Sequence, residues 1–269
     1  MEKIKPVLKA LLFGAIVLLF FICSSFIAKA LKLSQNRTLI FQGGMMLLST
    51  IIPIFYIGSK QYDRSDIGFN KISLGSLKKL LFYIPLIIAL GLLIISFNKN
   101  VGAKSLIVQL FFYISVAITL EVNFRGVIQK EFRGKMHVLP SLIIIALLYA
   151  ACNMYYFNRI TYTKYIMVFV GSSFAIAGIL GIVIESKGSL IFTIIFNALY
   201  LLIGANFAGG GKKLFLAQAL ALTVLFIYGL YLLIMYMKKD KEPKIVEKEE
   251  NVVEEEAAIE LEEPNMTLE

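Results

Sequence analysis

The stretch Ser105-Leu-Ile-Val-Gln-Leu-Phe-Phe-Tyr-Ile-Ser-Val-Ala-Ile-Thr-Leu-Glu-Val-Asn-Phe-Arg-Gly126 is almost wholly apolar up to Leu120, then sets Glu121 four residues before Arg125. A run of this length approaches the ~20 residues a helix needs to cross a bilayer, and it lacks the strict alternation of a half-buried strand. Ionisable groups at membrane depth are expensive, so they face a bundle interior or a cavity and mark candidate sites. Positions i and i+4 share a helix face, which lets Glu121 and Arg125 neutralise each other. The stretch therefore predicts a transmembrane helix carrying a pair that is either catalytic or structural.

Working outward, eight such runs are predicted, at roughly 10–28, 38–58, 80–97, 105–124, 138–157, 165–184, 189–208 and 214–237. Hydrophobic residues make up 58% of the chain and charged residues 17%, with a mean hydropathy of +0.79, far from the balance of soluble domains. The runs are continuous, which rules against an outer-membrane barrel. The expected fold class is all-α: a polytopic membrane protein, a bundle of about eight transmembrane helices with the lipid bilayer as its solvent.

The net charge of +9 is unevenly spread. Residues 1–237 carry 22 Lys and Arg against 6 Asp and Glu, whereas residues 238–269 carry 5 against 12. The basic residues sit in short loops between spans, so they set topology, and no nucleic-acid partner is expected. With eight spans, the side holding both termini has 18 Lys and Arg and the other side 9. That bias places both termini in the cytoplasm of a cell-membrane protein. The chain divides into an eight-helix membrane domain, 1–237, and an acidic cytoplasmic tail, 238–269, too poor in apolar residues to fold alone and expected to be disordered. Ile245, Val252 and Ile259 recur every seven residues in that tail, a weak sign of a helix that forms against a partner.

Cys23 and Cys152 fall inside apolar helices and read as packing residues. His137 is the single histidine and lies in the turn Lys135-Met136-His137-Val138-Leu139-Pro140. No metal-ligand cluster, phosphate loop or Ser/His/Asp arrangement is present, so neither a cofactor nor a metal is expected.

The string Glu121-Val122-Asn123-Phe124-Arg125-Gly126 resembles the first motif of the CAAX protease and bacteriocin-processing family (CPBP, or Abi), intramembrane endopeptidases of about eight helices. The family pattern has two adjacent glutamates, three residues, then arginine, often with Phe before it and Gly after. The resemblance extends from Asp66-Ile67-Gly68 to about Gly204 and includes Gly188-Ser189-Leu190 in the family's last block. It implies a site at Leu120, Glu121, Arg125, Asn153, Asn197 and Leu201. Glu121 and Arg125 match. Leu120 stands where the family has the glutamate that activates water. Tyr149 and Asn153 stand where it has an aromatic and, four residues on, a histidine. Asn197 and Leu201 stand where it has histidine and asparagine.

General base work needs a group that can take a proton near operating pH, and asparagine cannot. Glu121 is ~100° around the helix from Leu120 and shares its face with Arg125. His137 is ~24 Å along a helix from Asn153 and cannot stand in for the missing histidine. If the turn between spans four and five centres on His137, Glu121 lies level with Asn153, and Asn197 reaches a similar depth. A polar cluster of Glu121, Arg125, Asn153 and Asn197 is therefore expected, held by interhelical hydrogen bonds. Gly171, Ala175 and Gly178 suggest a small-residue face for close helix contact.

The preferred reading is a catalytically impaired, bacterial-type member of the family. It would act as a membrane-embedded regulatory or binding protein, with a membrane protein or peptide segment as partner in the former active-site cavity. The first alternative is an active endopeptidase, CAAX-like or bacteriocin-processing, that uses Glu121. The second is a bacteriocin immunity protein or small-molecule carrier, although no inverted repeat of hydropathy supports a carrier.

Overall fold

The computed structural model describes residues 4–65, 67–69, 81–95, 97, 101–154, 163–186, 188–206 and 212–241. Apolar runs in a medium without water satisfy their backbone groups internally, and the described residues form eight helices. These are α1 (Ile4–Ala30), α2 (Gln35–Ser59), α3 (Ile84–Ile94), α4 (Ala103–Phe132), α5 (Val138–Met154), α6 (Thr163–Glu185), α7 (Leu190–Ala205) and α8 (Lys212–Lys241). The all-α, multi-pass membrane architecture is borne out.

The spans are less uniform than their sequence suggests. Four stretches are long and apolar enough to cross a bilayer: Ile4–Ala30, Gln35–Ser59, Ala103–Phe132 and, within α8, Ala219–Lys238. The other four, Ile84–Ile94, Val138–Asn153, Gly171–Glu185 and Leu190–Ala205, are shorter apolar helices of 10–17 residues. Helix α8 continues to Lys241, four residues past the expected end of the membrane domain. Most of the tail, 242–269, lies outside the described residues, as does Asp66.

The main helix pairings are α2 with α4, α5 with α6, α4 with α7, α3 with α8, and α1 with α2. Polar side chains close the α2–α4 contact: Thr119 Oγ1 donates to the Met46 carbonyl at 2.8 Å and lies 2.9 Å from the Thr50 hydroxyl. Gly43 permits the approach, because a Cβ there would come within 2.8 Å of the Phe111 ring.

Within α4 the residues Val122–Gln129 adopt a π-helix, and all eight are buried. This segment contacts α1, α2, α5, α6 and α7, so it is the axis of the bundle. Large apolar side chains on the outside, such as Phe26, Phe55 and Phe226, are exposed, as a bilayer requires.

Segments around Gly68, Tyr83 and Ser189 pack together between the helices. Gly68, at φ +82°, accepts a hydrogen bond from the Leu190 amide at 2.7 Å. The Ser189 amide donates to the Tyr83 hydroxyl at 2.8 Å. At Gly188 a Cβ would lie 2.5 Å from the Val183 carbonyl, so only glycine fits that turn. The two flanking blocks of the family resemblance, around Gly68 and Gly188, therefore meet.

Candidate functional site

Helix α4 carries the candidate residues because its backbone widens just after Glu121. The π-helix is rare, and single-turn π-bulges within α-helices recur at functional sites. Asn123 Nδ2 donates to the Thr119 carbonyl at 2.7 Å, securing the entry to the segment.

Glu121 and Arg125 are both fully buried, with Arg125 Nε 3.5 Å from Glu121 Oε2. At that distance the contact is an ion pair more than a hydrogen bond. The Tyr149 hydroxyl donates to Glu121 Oε1 at 3.2 Å, and the Arg125 guanidinium lies 5.5 Å from the centre of the Tyr149 ring. Thr193 and Asn197, one turn apart on α7, lie beside Glu121 and Tyr149, with the Thr193 hydroxyl donating to the Leu190 carbonyl at 2.9 Å. Glu121, Arg125, Tyr149, Thr193 and Asn197 thus form one cluster.

The remaining predicted positions fall differently. Leu120 and Leu201 are buried in the apolar core. Asn153 is buried, but the observed contact across the α4–α5 hairpin is Glu121 with Tyr149, four residues earlier on the same face. The expected pairing centred on His137 is one helical turn out. The reason is local: the chain turns over Arg133 to His137, and the long Tyr149 side chain reaches Glu121 first. His137 itself is exposed at the start of α5. The small-residue face also moves. Gly171 and Gly178 have open space beside them, whereas a Cβ on Gly181 would meet Leu142 at 2.5 Å and Arg125 Nη1 at 3.4 Å.

Gly181 belongs to a ladder between α4 and α6 that the sequence reading missed. Arg125 Nη2 donates to the Ala177 carbonyl, Gln129 Nε2 to the Gly181 carbonyl at 2.9 Å and to Glu185 Oε1 at 2.6 Å, and Arg133 Nε to Glu185 at 3.1 Å. Three of the four contacts join residues 52 apart and the fourth, Gln129 to Glu185, residues 56 apart, so α4 and α6 run parallel. A visible signal was the four-residue spacing of Glu121, Arg125, Gln129 and Arg133, which puts these four side chains on one stripe.

The cluster is not saturated. Glu121 Oε2, Asn123 Oδ1, Arg125 Nε and Nη1, Gln129 Oε1, Asn153 Oδ1, Ser173 Oγ and Asn197 Nδ2 are buried with no hydrogen-bond partner. Such atoms are uncommon in native interiors. Both donors and acceptors are among them.

Glu131, missed by sequence reasoning, is the opposite case. Its buried carboxylate accepts from Tyr56, from Tyr62 at 2.8 Å, from Lys9 at 3.0 Å and from Lys135 at 3.0 Å. It ties the start of α1, the end of α2 and the α4–α5 turn together. Among the described residues no group of three His, Cys, Asp or Glu side chains is arranged to hold a metal ion.

The model of the Rce1-like family, described as type II CAAX prenyl endopeptidase Rce1-like, matches residues 102–203. The match ends where the sequence resemblance ends and begins at the foot of α4, so all six motif positions lie within it. Residues 102–203 are thus CAAX-protease-like. No curated protein matches the chain.

Proposed function

We infer that this CAAX-protease-like membrane protein binds a peptide or membrane-protein segment at the Glu121 cluster without cleaving it. The observation that carries the reading is chemical. Leu120, Asn153, Asn197 and Leu201 occupy the positions of the family's working groups, and none of them can accept a proton at physiological pH. Glu121 keeps its place but is held by Arg125 and Tyr149. The unpartnered donors Arg125 Nη1 and Asn197 Nδ2, beside the acceptors Gln129 Oε1 and Asn153 Oδ1, suit the alternating N–H and C=O groups of a bound backbone. The excess of Lys and Arg on the side of the termini supports a cell-membrane protein with both termini cytoplasmic.

The test is to present a prenylated peptide to the reconstituted protein and to its Glu121→Gln variant. Binding without cleavage by either is expected, with binding weakened when Asn153 and Asn197 are replaced by leucine. Glu121-dependent cleavage would sink this reading. It would favour a working endopeptidase, for which the unpartnered Glu121 Oε2 is the specific support.

A further inference from the structure

A serine or threonine hydroxyl inside a helix can settle its donor on a carbonyl of its own helix, three or four residues back. Ser24, Ser49, Ser115 and Thr193 do so, at 2.6–2.9 Å. Ser172 on α6 lies 2.9 Å from the Tyr200 hydroxyl. Its neighbour Ser173 is an exception, only 2% exposed and with no hydrogen-bond partner for its Oγ. Burying an unpaired hydroxyl is destabilising, so an alanine would serve packing better at this position.

The α4–α6 ladder gives Ser173 its counterpart. Arg125 meets Ala177, Gln129 meets Gly181 and Arg133 meets Glu185, each pair 52 residues apart. One helical turn before Arg125 stands its ion partner Glu121, and one turn before Ala177 stands Ser173, again 52 residues apart. Three rungs are closed by direct hydrogen bonds, whereas Glu121 Oε2 and Ser173 Oγ both lack a partner. Asn153 Oδ1 on α5 and Asn197 Nδ2 on α7 are also unpartnered. With α5 packed on α6 and α4 on α7, all four helices contribute such an atom.

We propose that Ser173 is a further binding residue of the Glu121 site, an assignment that rests on the peptide-binding reading above: its hydroxyl donates to a backbone carbonyl of the bound segment. An ionised carboxylate only accepts, and a hydroxyl can donate. A planar trans peptide unit aims its N–H and its C=O to opposite sides. One such unit lying between α4 and α6 therefore gives its N–H to Glu121 Oε2 and takes the Ser173 hydroxyl on its carbonyl. The open rung closes on the ligand, as the three rungs beside it close on the protein itself.

The experiment measures binding of the prenylated peptide to the full chain and to its Ser173→Ala variant, both in phosphatidylcholine nanodiscs, with thermal melts of each taken without peptide. Ser173→Ala should weaken binding about two- to tenfold, the loss of one hydrogen bond. The melting temperature should not fall, because the hydroxyl has no partner to lose. A series of peptides in which one backbone amide at a time becomes an ester then locates the contact, since the exchange removes the N–H and weakens the carbonyl. At one position the ester and Ser173→Ala should not add, while elsewhere their losses add. Equal affinity of the two proteins for the all-amide peptide would overturn the proposal. So would a lowered melting temperature, or losses that add at every position. Peptide binding itself survives those three outcomes, so the reading of the site would stand. Failure of the unaltered protein to bind the peptide would overturn both.

Discussion

Two carboxylates ten residues apart on one helix, Glu121 and Glu131, are both shielded from solvent and treated in opposite ways. Glu131 accepts from two lysines and two tyrosines contributed by α1, α2 and flanking turns. Glu121 has one tyrosine and an arginine at 3.5 Å, and one of its oxygens has no hydrogen-bond partner. A charge whose only duty is structural is expected to collect every donor within reach, because each unmet hydrogen bond in a dry interior is costly. Glu131 behaves that way. The region around Glu121 keeps donors and acceptors open, and the π-helical backbone there keeps the helix wide. The contrast separates a saturated staple from an unsaturated cluster.

The sharpest way to break the comparison is Arg125→Ala. It leaves Glu121 buried without its ion partner and the Ala177 carbonyl without its donor, so a loss of about 3–5 kcal/mol is expected. Replacing Glu121 and Arg125 together by apolar residues of similar size should cost less than Arg125→Ala alone. Equal losses in detergent melts would mean that the two groups do not pair.

Glu131→Ala should follow, at about 1.5–3 kcal/mol, since Lys9 and Lys135 are part-exposed and recover water. Hydrogen exchange should show α1 and the α4–α5 turn loosened while α7 is unchanged. Loosening that reaches α7 would show that the staple and the site are one unit.

Gly181→Ala should cost about 1–3 kcal/mol, because its Cβ would press on Leu142 and crowd Arg125 and Gln129. Denaturant titration in micelles gives the value, and a neutral result would mean that Leu142 yields freely.

The smallest effect is predicted for Asn153→Ala, below about 1 kcal/mol in the same titration. The Asn153 Oδ1 has no partner to lose, so a larger loss would make Asn153 structural and weaken its place in a binding site.

The eight apolar runs were legible because a bilayer punishes any other arrangement of such stretches, and Glu121 with Arg125 stood out for the same reason. The Glu131 staple was not legible, because three of its four partners lie 69, 75 and 122 residues away, and nothing local marks Tyr56, Tyr62 or Lys9 as its donors. The α4–α5 register was misread by a turn, because symmetry about a loop residue ignores how far a tyrosine reaches.

By itself the sequence determined that this is a helical membrane protein and which helix carries its buried charge pair, Glu121 with Arg125. Hydropathy and residue chemistry are local properties, so one dimension suffices for them. Tertiary structure alone decided the parallel α4–α6 ladder, the π-helical axis and which polar atoms remain without partners. Those depend on which helix faces lie within 3 Å of each other, and helix spacing in a bundle is set by packing among segments far apart in the chain.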